Sequence, residues 1–474
     1  MRVLFIEPPK EYWFVMGEYL PPPLGILELA AYLERSNNGC EIKVLDCQAE
    51  RLDWHGLEKR IESFQPEVIA PSSLSTCNAY TAIRAVEVAK KVNPDTVTVV
   101  GGQHFTATAQ ESLETYPELD VIVRGEGEET LADLVRTIEN DGHLSGVEGI
   151  SFRHDGQVVH NPCRKPIENL DDLPLPGYHF VGDHMNKYHF MQMVDPKKHY
   201  TLVEASRGCN EHCTFCSQWR FWGGAFRSKS PKRIADEFEY CHREFGSQFI
   251  WLVDDNFGFG ERMDGLCDEI IRRGLSEEIL WFLQARSDDI ITHQSVLPKM
   301  RRAGNRWVLT GLENNSPQTL EGWRKTIRPS DSKTAIALLK RNDIFSQGTF
   351  IIGERKDTHE SLEAFRNFVE DVDPDLAIFG VLTPYPGTET YEVAKRNGWL
   401  EDTNWANYDM VHAIMPTETL TRQEVQEELY KCYRRFYGSM KRRMTGIFSS
   451  NSFKRTTYRH MAGQSVLMIL RNMF

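Results

Sequence analysis

Cys209, Cys213 and Cys216 fall within eight residues of one another, in RGCNEHCTFCSQW (207–219). Thiols so placed can form disulfides, hold a zinc ion or hold an iron–sulfur cluster. Disulfide frameworks belong to small, cysteine-dense secreted chains. Here ten cysteines are spread over 474 residues, and RVLFIE (2–7) follows Met1 with no expected secretory leader. The other seven, Cys40, Cys47, Cys77, Cys163, Cys241, Cys267 and Cys432, lie mostly in apolar runs and are expected to be buried core thiols. Structural zinc takes four closed ligands, usually as two separated pairs. No second pair exists, and His212 sits between the thiols at an awkward spacing for a fourth ligand. A cubane iron–sulfur cluster is usually held by four cysteines. Three leave one iron open to bind and activate another ligand.

The elements around the thiols set where they stand. From residue 199 onward strand and helix patterns alternate six times, with strands in YTLVEAS, FIWLVDD, WFLQAR, RWVLTGLE, QGTFIIG and LAIFGVLT. Six β/α units suggest a partial barrel, whose chemistry belongs at the carboxyl ends of its strands. That rule selects Asp254, Asp255 and Asn256; Gln284 and Arg286; Glu313; Gly353; and Pro384, Tyr385 and Gly387. Structural roles stay open for several of them. Asp254 and Asp255 could cap the following helix, Arg286 could form an ion pair on the rim, and Glu313 could answer Arg286 or Lys325.

The spacing C-x3-C-x2-C, after a strand and with Phe215 before the last cysteine, resembles the radical SAM superfamily. That resemblance implies a 4Fe–4S cluster on Cys209, Cys213 and Cys216, with the open iron chelating the amino and carboxylate groups of S-adenosylmethionine. It further implies that Asp254 and Asp255 hold the methionyl amine, that Gln284, Arg286 and Glu313 hold the ribose or carboxylate, and that Phe215 and the PYPGT turn with Tyr385 pack on adenine. One departure stands out: the Gly-x-Pro-x-Glu-Thr turn frequent after the fifth strand reads GERKDT (353–358) here, so the contacts of that loop transfer less safely.

The first 140 residues alternate in the same way. The apolar runs RVLFIE, EIKVLDC, EVIAPSS, TVTVVGG and VIVRGEG are separated by amphipathic stretches such as LGILELAAYLE, which predicts a Rossmann-like (flavodoxin-like) parallel sheet with helices on both faces. Ligands on such sheets bind beyond the carboxyl ends of the strands, where SSLST (72–76), GGQHFTAT (101–108) and RGEGEET (124–130) stand. These motifs, with the opening PPKEYWF…YLPPPLGILELAAYLE, resemble the cobalamin-binding domain of one large class of radical SAM enzymes. The resemblance places Ser73, Ser75, Thr76, Gly101, Gly102, His104, Gly125, Glu126 and Gly127 around a corrinoid. Many such domains carry Asp-x-His-x-x-Gly after the first strand, whose histidine ligates cobalt from below. The corresponding PPKEYWFVMGEYLPPP has no histidine, which leaves Tyr12, Trp13 or Tyr19 to occupy the lower face, or to serve as ordinary loop packing.

Between the two halves, ISFRHDGQVVHN reads as a hairpin turning at Asp155-Gly156, and ENLDDLPLPGYHF as a proline-marked loop. The expected organisation is a cobalamin domain over 1–140, a bridging segment over 141–195, a partial (β/α)6 radical SAM barrel over 196–395 and a mainly helical substrate or partner region over 396–474. Hydrophobic residues make up 41% and charged residues 26%, as in soluble globular chains, and no run of 18 apolar residues occurs. The net charge of -13 argues against general nucleic-acid binding. A cytoplasmic protein without a transmembrane segment is expected. The charge is uneven: residues 431–474 hold ten Lys or Arg, among them Lys441, Arg442, Arg443, Lys454, Arg455 and Arg459, and no Asp or Glu. This tail predicts either a solvated helix or a local positive field facing an acidic partner or an anionic surface.

Together the resemblances imply a cobalamin-dependent radical SAM methyltransferase. A 5′-deoxyadenosyl radical would open an unactivated sp3 carbon, and methylcobalamin would deliver the methyl group. The substrate is not legible; a residue of a protein or peptide is one expectation, as in the enzymes that modify methanogenic coenzyme M reductase. The electrons would come from a reductant such as flavodoxin or ferredoxin. The alternatives are a cyclase or oxidoreductase of the same class, related to the anaerobic enzyme that closes the fifth ring of bacteriochlorophyll, and a non-catalytic corrinoid or redox sensor.

Overall fold

The computed structural model describes residues 1–9, 19–36, 39–73, 75–190 and 198–471, with side chains as far as 463. The first sheet contains β1 (Arg2–Glu7), β2 (Glu41–Asp46), β3 (Val68–Pro71), β4 (Val97–Val100), β5 (Val121–Val123), β6 (Ile150–His154) and β7 (Gln157–His160). Their order is β2-β1-β3-β4-β5-β6-β7. The first five strands run parallel, and the β6–β7 hairpin closes the edge antiparallel. Alternate side chains of β1 feed two cores. Leu4 and Ile6 pack with Leu57, Ile61, Ala82 and Val86 on one face, while Val3 and Phe5 pack with Ile26, Ala30, Leu131 and Val135 on the other. Burial on both faces is why this strand reads as an unbroken apolar run. The order β2-β1-β3-β4-β5 is the flavodoxin-like one, with its switch point between β1 and β3. At the hairpin turn Asp155 and Gly156 both have positive φ (50° and 75°), as a type I′ turn requires.

The second sheet has β8 (His199–Val203), β9 (Ser247–Leu252), β10 (Leu280–Arg286), β11 (Asn305–Glu313), β12 (Phe345–Ile352) and β13 (Leu376–Val381), paired in sequence order and all parallel. It forms the expected partial barrel. Aromatic side chains dominate its core: Phe282 stacks on Trp307 with centroids 3.9 Å apart and on Trp251 at 4.8 Å.

Helices Arg422–Gly438, Met440–Ile447 and Ser452–Arg471 form the C-terminal region. Here the two alternatives for the basic tail divide residue by residue. Arg435 pairs with Glu363 and Glu370, Arg442 with Asp373, Lys454 with Asp375 and Lys431 with Glu428. Acids carried by the barrel answer Arg435, Arg442 and Lys454, and Glu428 of the first C-terminal helix answers Lys431, whereas Lys441 and Arg443 have no carboxylate partner among the described residues. A correction concerns the thiols. Cys47, Cys241, Cys267 and Cys432 are buried, but Cys40 and Cys77 are half-buried and Cys163 is exposed, because the NPCRKP loop carries it outside either core. Among the described residues no helix is long and apolar enough to cross a membrane.

Candidate active site

The three cysteines lie on the loop that leaves β8. Asp254, just past β9, fixes the start of this loop: its Oδ1 accepts hydrogen bonds from Ala205 N at 2.8 Å, from Ser206 Oγ at 2.9 Å and from Ser206 N. Ser206 and Arg207 then pair antiparallel with Arg227 and Ser228. Gly208 follows with φ of +86°, where a Cβ would collide with the Ala225 carbonyl, so only glycine serves. Further along, Thr214 N donates to Trp323 O at 3.1 Å and Trp219 Nε1 donates to Cys213 O at 3.2 Å. The loop is thus held by backbone bonds that do not involve the thiols.

Burial pushes all three thiols up, Cys216 to about 12. The Arg286 charge works against this shift at Cys209 and Cys213, and Lys325 does so at Cys213. Lys325 in turn donates to Glu313 at 2.8 Å, and Arg286 pairs with Asp288 at 2.7 Å and Glu211 at 3.3 Å. Among the described residues no three His, Cys, Asp or Glu side chains converge as a single metal ion would require. Three half-buried or buried thiols on one loop, with two cations beside them, fit a multi-iron cluster held as thiolates and not a tetrahedral zinc.

Beside the loop lies a cavity enclosing about 1850 Å³, counting the part open to solvent. One wall comes from the first sheet: Ser72 and Ser73 after β3, Gly101 to Gln103 after β4, Gly125 to Glu128 after β5, and Pro21 to Ile26 with Glu28 and Leu29 at the first helix. The other comes from the barrel: Glu204, Arg207, Gln218, Phe221, Trp222, Trp251, Asp255 and Gln284. The strand ends of both sheets therefore face one space. Gly102 has φ of +84° and lies so near Ser73 that a Cβ would stand 2.9 Å from its carbonyl oxygen. Such loops let backbone approach a broad ligand closely.

Two contacts join the walls. Gln103 donates to Gln218 and accepts from Ser217 Oγ at 2.8 Å. Arg207, with a side chain only 2% exposed, lies at 2.5 Å from Glu128, 2.7 Å from Glu204, 3.0 Å from Glu126 and 3.7 Å from Glu28. Burial raises the pKa of Glu128, yet the Arg207 charge and hydrogen bond outweigh it and hold this carboxyl below its ordinary value. Glu28 is pushed well up, by burial and by Glu204. Asp255 rises to about 7, through burial and its neighbour Asp254, while accepting from Trp222 Nε1 at 3.1 Å.

Ser73, Gly101, Gly102, Gly125, Glu126, Gly127, Asp255 and Gln284 are brought together around the cavity, and so is Tyr19, packed edge-on against Phe190 at 5.1 Å. Tyr12 and Trp13 lie outside the described residues. Other expected residues are placed elsewhere. Ser75 bonds Cys77 and Asn78, and Thr76 opens the short turn Thr76–Asn78. His104 is buried against Phe105 and Trp405 and is held near neutral imidazole by burial, its pKa pushed down to about 4. Asp254 faces the backbone it anchors. Arg286 and Glu313 are spent on ion pairs beside the cysteine loop. Phe215 packs on Trp323 at 5.3 Å, and Tyr385 is bonded with Thr383 near Cys77 and Asp409. Reading by strand ends missed Arg207, Glu28, Gln103, Gln218 and Trp222. Arg207 and Glu128 stand in the quoted motifs RGCNEHCTFC and RGEGEET, but no local pattern pairs one with the other.

The B12 binding domain family matches residues 17–135, and the radical SAM superfamily matches residues 203–369. An uncharacterized methyltransferase of Pyrococcus horikoshii is 32% identical over 456 residues, 96% of each chain. The chain belongs to the cobalamin-binding radical SAM enzymes. Its cofactors are those of that family: cobalamin, a 4Fe–4S cluster and S-adenosylmethionine. Another member, the anaerobic magnesium-protoporphyrin IX monomethyl ester cyclase of Rubrivivax gelatinosus, is 31% identical over 92% of this chain and 77% of its own. Among solved structures, the radical S-adenosylmethionine methyltransferase TsrM of Kitasatospora setae superposes with a TM-score of 0.74 at 16% identity, covering 100% of this chain and 99% of its own. The likeness extends the shared fold to the C-terminal helices.

The glycine at position 102 supplies a direct test of the corrinoid wall. Gly102→Trp should abolish cobalamin uptake, read from the visible spectrum of the reconstituted protein. Iron content should stay at the wild-type level, because the cysteine loop is held from the barrel. Equal cobalamin content in variant and wild type would exclude this wall.

Proposed function

We propose that this chain is a cobalamin-dependent radical SAM C-methyltransferase that methylates an unactivated sp3 carbon, with a residue of a protein or peptide as the acceptor to test first. The observation that carries this reading is the single cavity walled by the strand ends of both domains. When bound, S-adenosylmethionine with the cluster supplies hydrogen abstraction from carbon, and the corrinoid supplies a methyl group. The chain's own residues bring these together. Cys209, Cys213 and Cys216 would hold the cluster. Asp255 and Gln284 offer polar groups on the barrel wall to S-adenosylmethionine. Gly101, Gly102 and Gly125 admit the corrinoid against backbone, while Phe221, Trp222 and Trp251 give the space an apolar side that excludes water. Arg207 holds the two walls in register.

The 31% identity with the cyclase of Rubrivivax gelatinosus supports a second reading, in which the same cavity serves a reaction without methyl transfer. Anaerobic incubation with a flavodoxin or ferredoxin as reductant separates the readings. 5′-Deoxyadenosine with S-adenosylhomocysteine marks methylation, 5′-deoxyadenosine alone marks cyclisation or oxidation, and neither marks a corrinoid protein without catalysis. With a labelled methyl donor and host lysate, label in the macromolecular fraction identifies a protein acceptor, and label confined to small molecules rejects it.

The cobalt is expected to carry no histidine from this chain. The loop 8–23 has none, and His104 is turned onto Trp405 rather than into the cavity. Electron paramagnetic resonance of the cobalt(II) state should show no nitrogen superhyperfine splitting, the dimethylbenzimidazole tail being displaced from cobalt as well. A resolved nitrogen pattern would overturn the expectation.

A further inference from the structure

Seven large apolar side chains stand exposed among the described residues, and three of them share one short helix. Met440 is 66% exposed, Met444 48% and Phe448 70%. Their spacing of four places them in one stripe along Met440–Ile447 and its C-cap. The helix is inverted relative to an ordinary surface helix. Its inner side sends Arg442 to Asp373 and to Pro374 O at 2.9 Å and lays Gly446 against Tyr458. Its outer side shows the two methionines and the phenylalanine.

Lys441 and Arg443 flank the stripe, both exposed. Arg443 donates only to Tyr437 O, at 2.7 Å, and neither cation has a carboxylate partner among the described residues. No acid follows Glu428 in the sequence. Asp373 and Asp375, on which the C-terminal helices are seated, precede β13. The stripe therefore sits at the amino-terminal end of the barrel strands, opposite the cysteine loop and the cavity.

We propose that this stripe seats the protein on an anionic lipid surface. Met and Phe side chains can enter the boundary between headgroups and acyl chains while flanking Lys and Arg meet phosphates. The position excludes the other uses a basic apolar patch would have in this enzyme. A reductant docked there would stand at the wrong end of the barrel, and the substrate cavity opens elsewhere. A second copy fits poorly, since a two-fold contact sets Lys441 and Arg443 against their own equivalents or beside them, with no acid to answer. The chain as a whole carries a net charge of -13, so most of its surface is repelled by the same membrane, and binding rests, among the described residues, on this patch and on low ionic strength.

The test uses the full-length holoprotein under anaerobic conditions, sedimented with phosphatidylcholine vesicles with or without phosphatidylglycerol. Wild type should sediment with the phosphatidylglycerol vesicles at low salt and be released as salt rises. M440S/M444S/F448S and K441E/R443E should each bind about tenfold more weakly or worse, with melting curves and S-adenosylmethionine cleavage equal to wild type. F448W should shift its emission to the blue on those vesicles alone. The proposal is overturned if wild type stays in the supernatant, if either multiple variant sediments like wild type, or if the triple variant instead dissolves a dimer that ignores vesicles.

Discussion

The triple variant Cys209→Ala, Cys213→Ala, Cys216→Ala should yield no 5′-deoxyadenosine above background, and its iron should fall from about four per chain to none. Four features make this the cleanest of the expected results. The loop supplies three thiols, and among the described residues no other group of three or more His, Cys, Asp or Glu side chains is gathered as a competing metal site. The thiols are buried enough that ionisation without a metal is opposed, Cys216 being pushed up to about 12. Iron would bind the thiolates directly, so the burial that disfavours free thiolate does not disfavour the cluster. The loop does not depend on the thiols for its shape, because Asp254 clamps its entry and Trp323 O and Cys213 O accept from Thr214 N and Trp219 Nε1. Loss of activity should therefore come without loss of fold. Circular dichroism and cobalamin content should match wild type, and any surviving 5′-deoxyadenosine would remove the cluster from this loop.

Both sheets were legible because parallel strands covered on both faces leave continuous apolar runs, such as VLFI in β1 and FIWL in β9. The cysteines and the wall glycines were legible for a different reason, since spacing and backbone freedom are properties of the sequence itself. What stayed hidden was the partner of each charge. Asp254 and Asp255 are adjacent just past β9, yet one faces backbone and the other lines the cavity. Neighbours on an extended segment point opposite ways, and the sequence does not say which way is inward. Arg286 and Glu313 met nearby ions instead of the cavity, as the open structural alternatives allowed. Arg442 meets Asp373, 69 residues away, a distance at which no local pattern predicts an ion pair. The positive tail looked like a field for this reason.

Arg207→Met should cost about 3–5 kcal/mol of stability, the range for removing one partner of a buried ionic cluster. Four carboxylates, Glu28, Glu126, Glu128 and Glu204, gather around this one guanidinium. Glu126 keeps a second cation, Arg227 at 2.5 Å, and Glu28 is already pushed well up by burial, so without Arg207 it is mainly Glu128 and Glu204 that must be buried as unpaired charge or take up protons. The sign with pH follows. In the wild type Glu128 is held below its ordinary value, so its contribution is present above the unfolded carboxyl pKa and is lost as pH falls through the folded one. In the variant the same carboxyl loses its lowering partner and burial raises its pKa. The deficit should then be largest at neutral pH and shrink as pH falls, measured by anaerobic denaturant unfolding at several pH values. Arg207→Lys should lie between, because one ammonium cannot serve several carboxylates as a planar fork does. The companion variant R207M/E128Q should recover part of the loss, as expected when the penalty is unpaired charge and not missing volume. Arg207 immediately precedes the Gly208–Cys209 turn, while Glu126 and Glu128 lie on the loop and helix start that line the cavity where the corrinoid is proposed to sit. Loosening their contact should therefore lower cobalamin and iron content together, whereas Gly102→Trp lowers cobalamin alone. A variant that loses stability but keeps both cofactors at wild-type levels would reduce Arg207 to a folding role and leave the register of the two walls to Gln103 and Gln218.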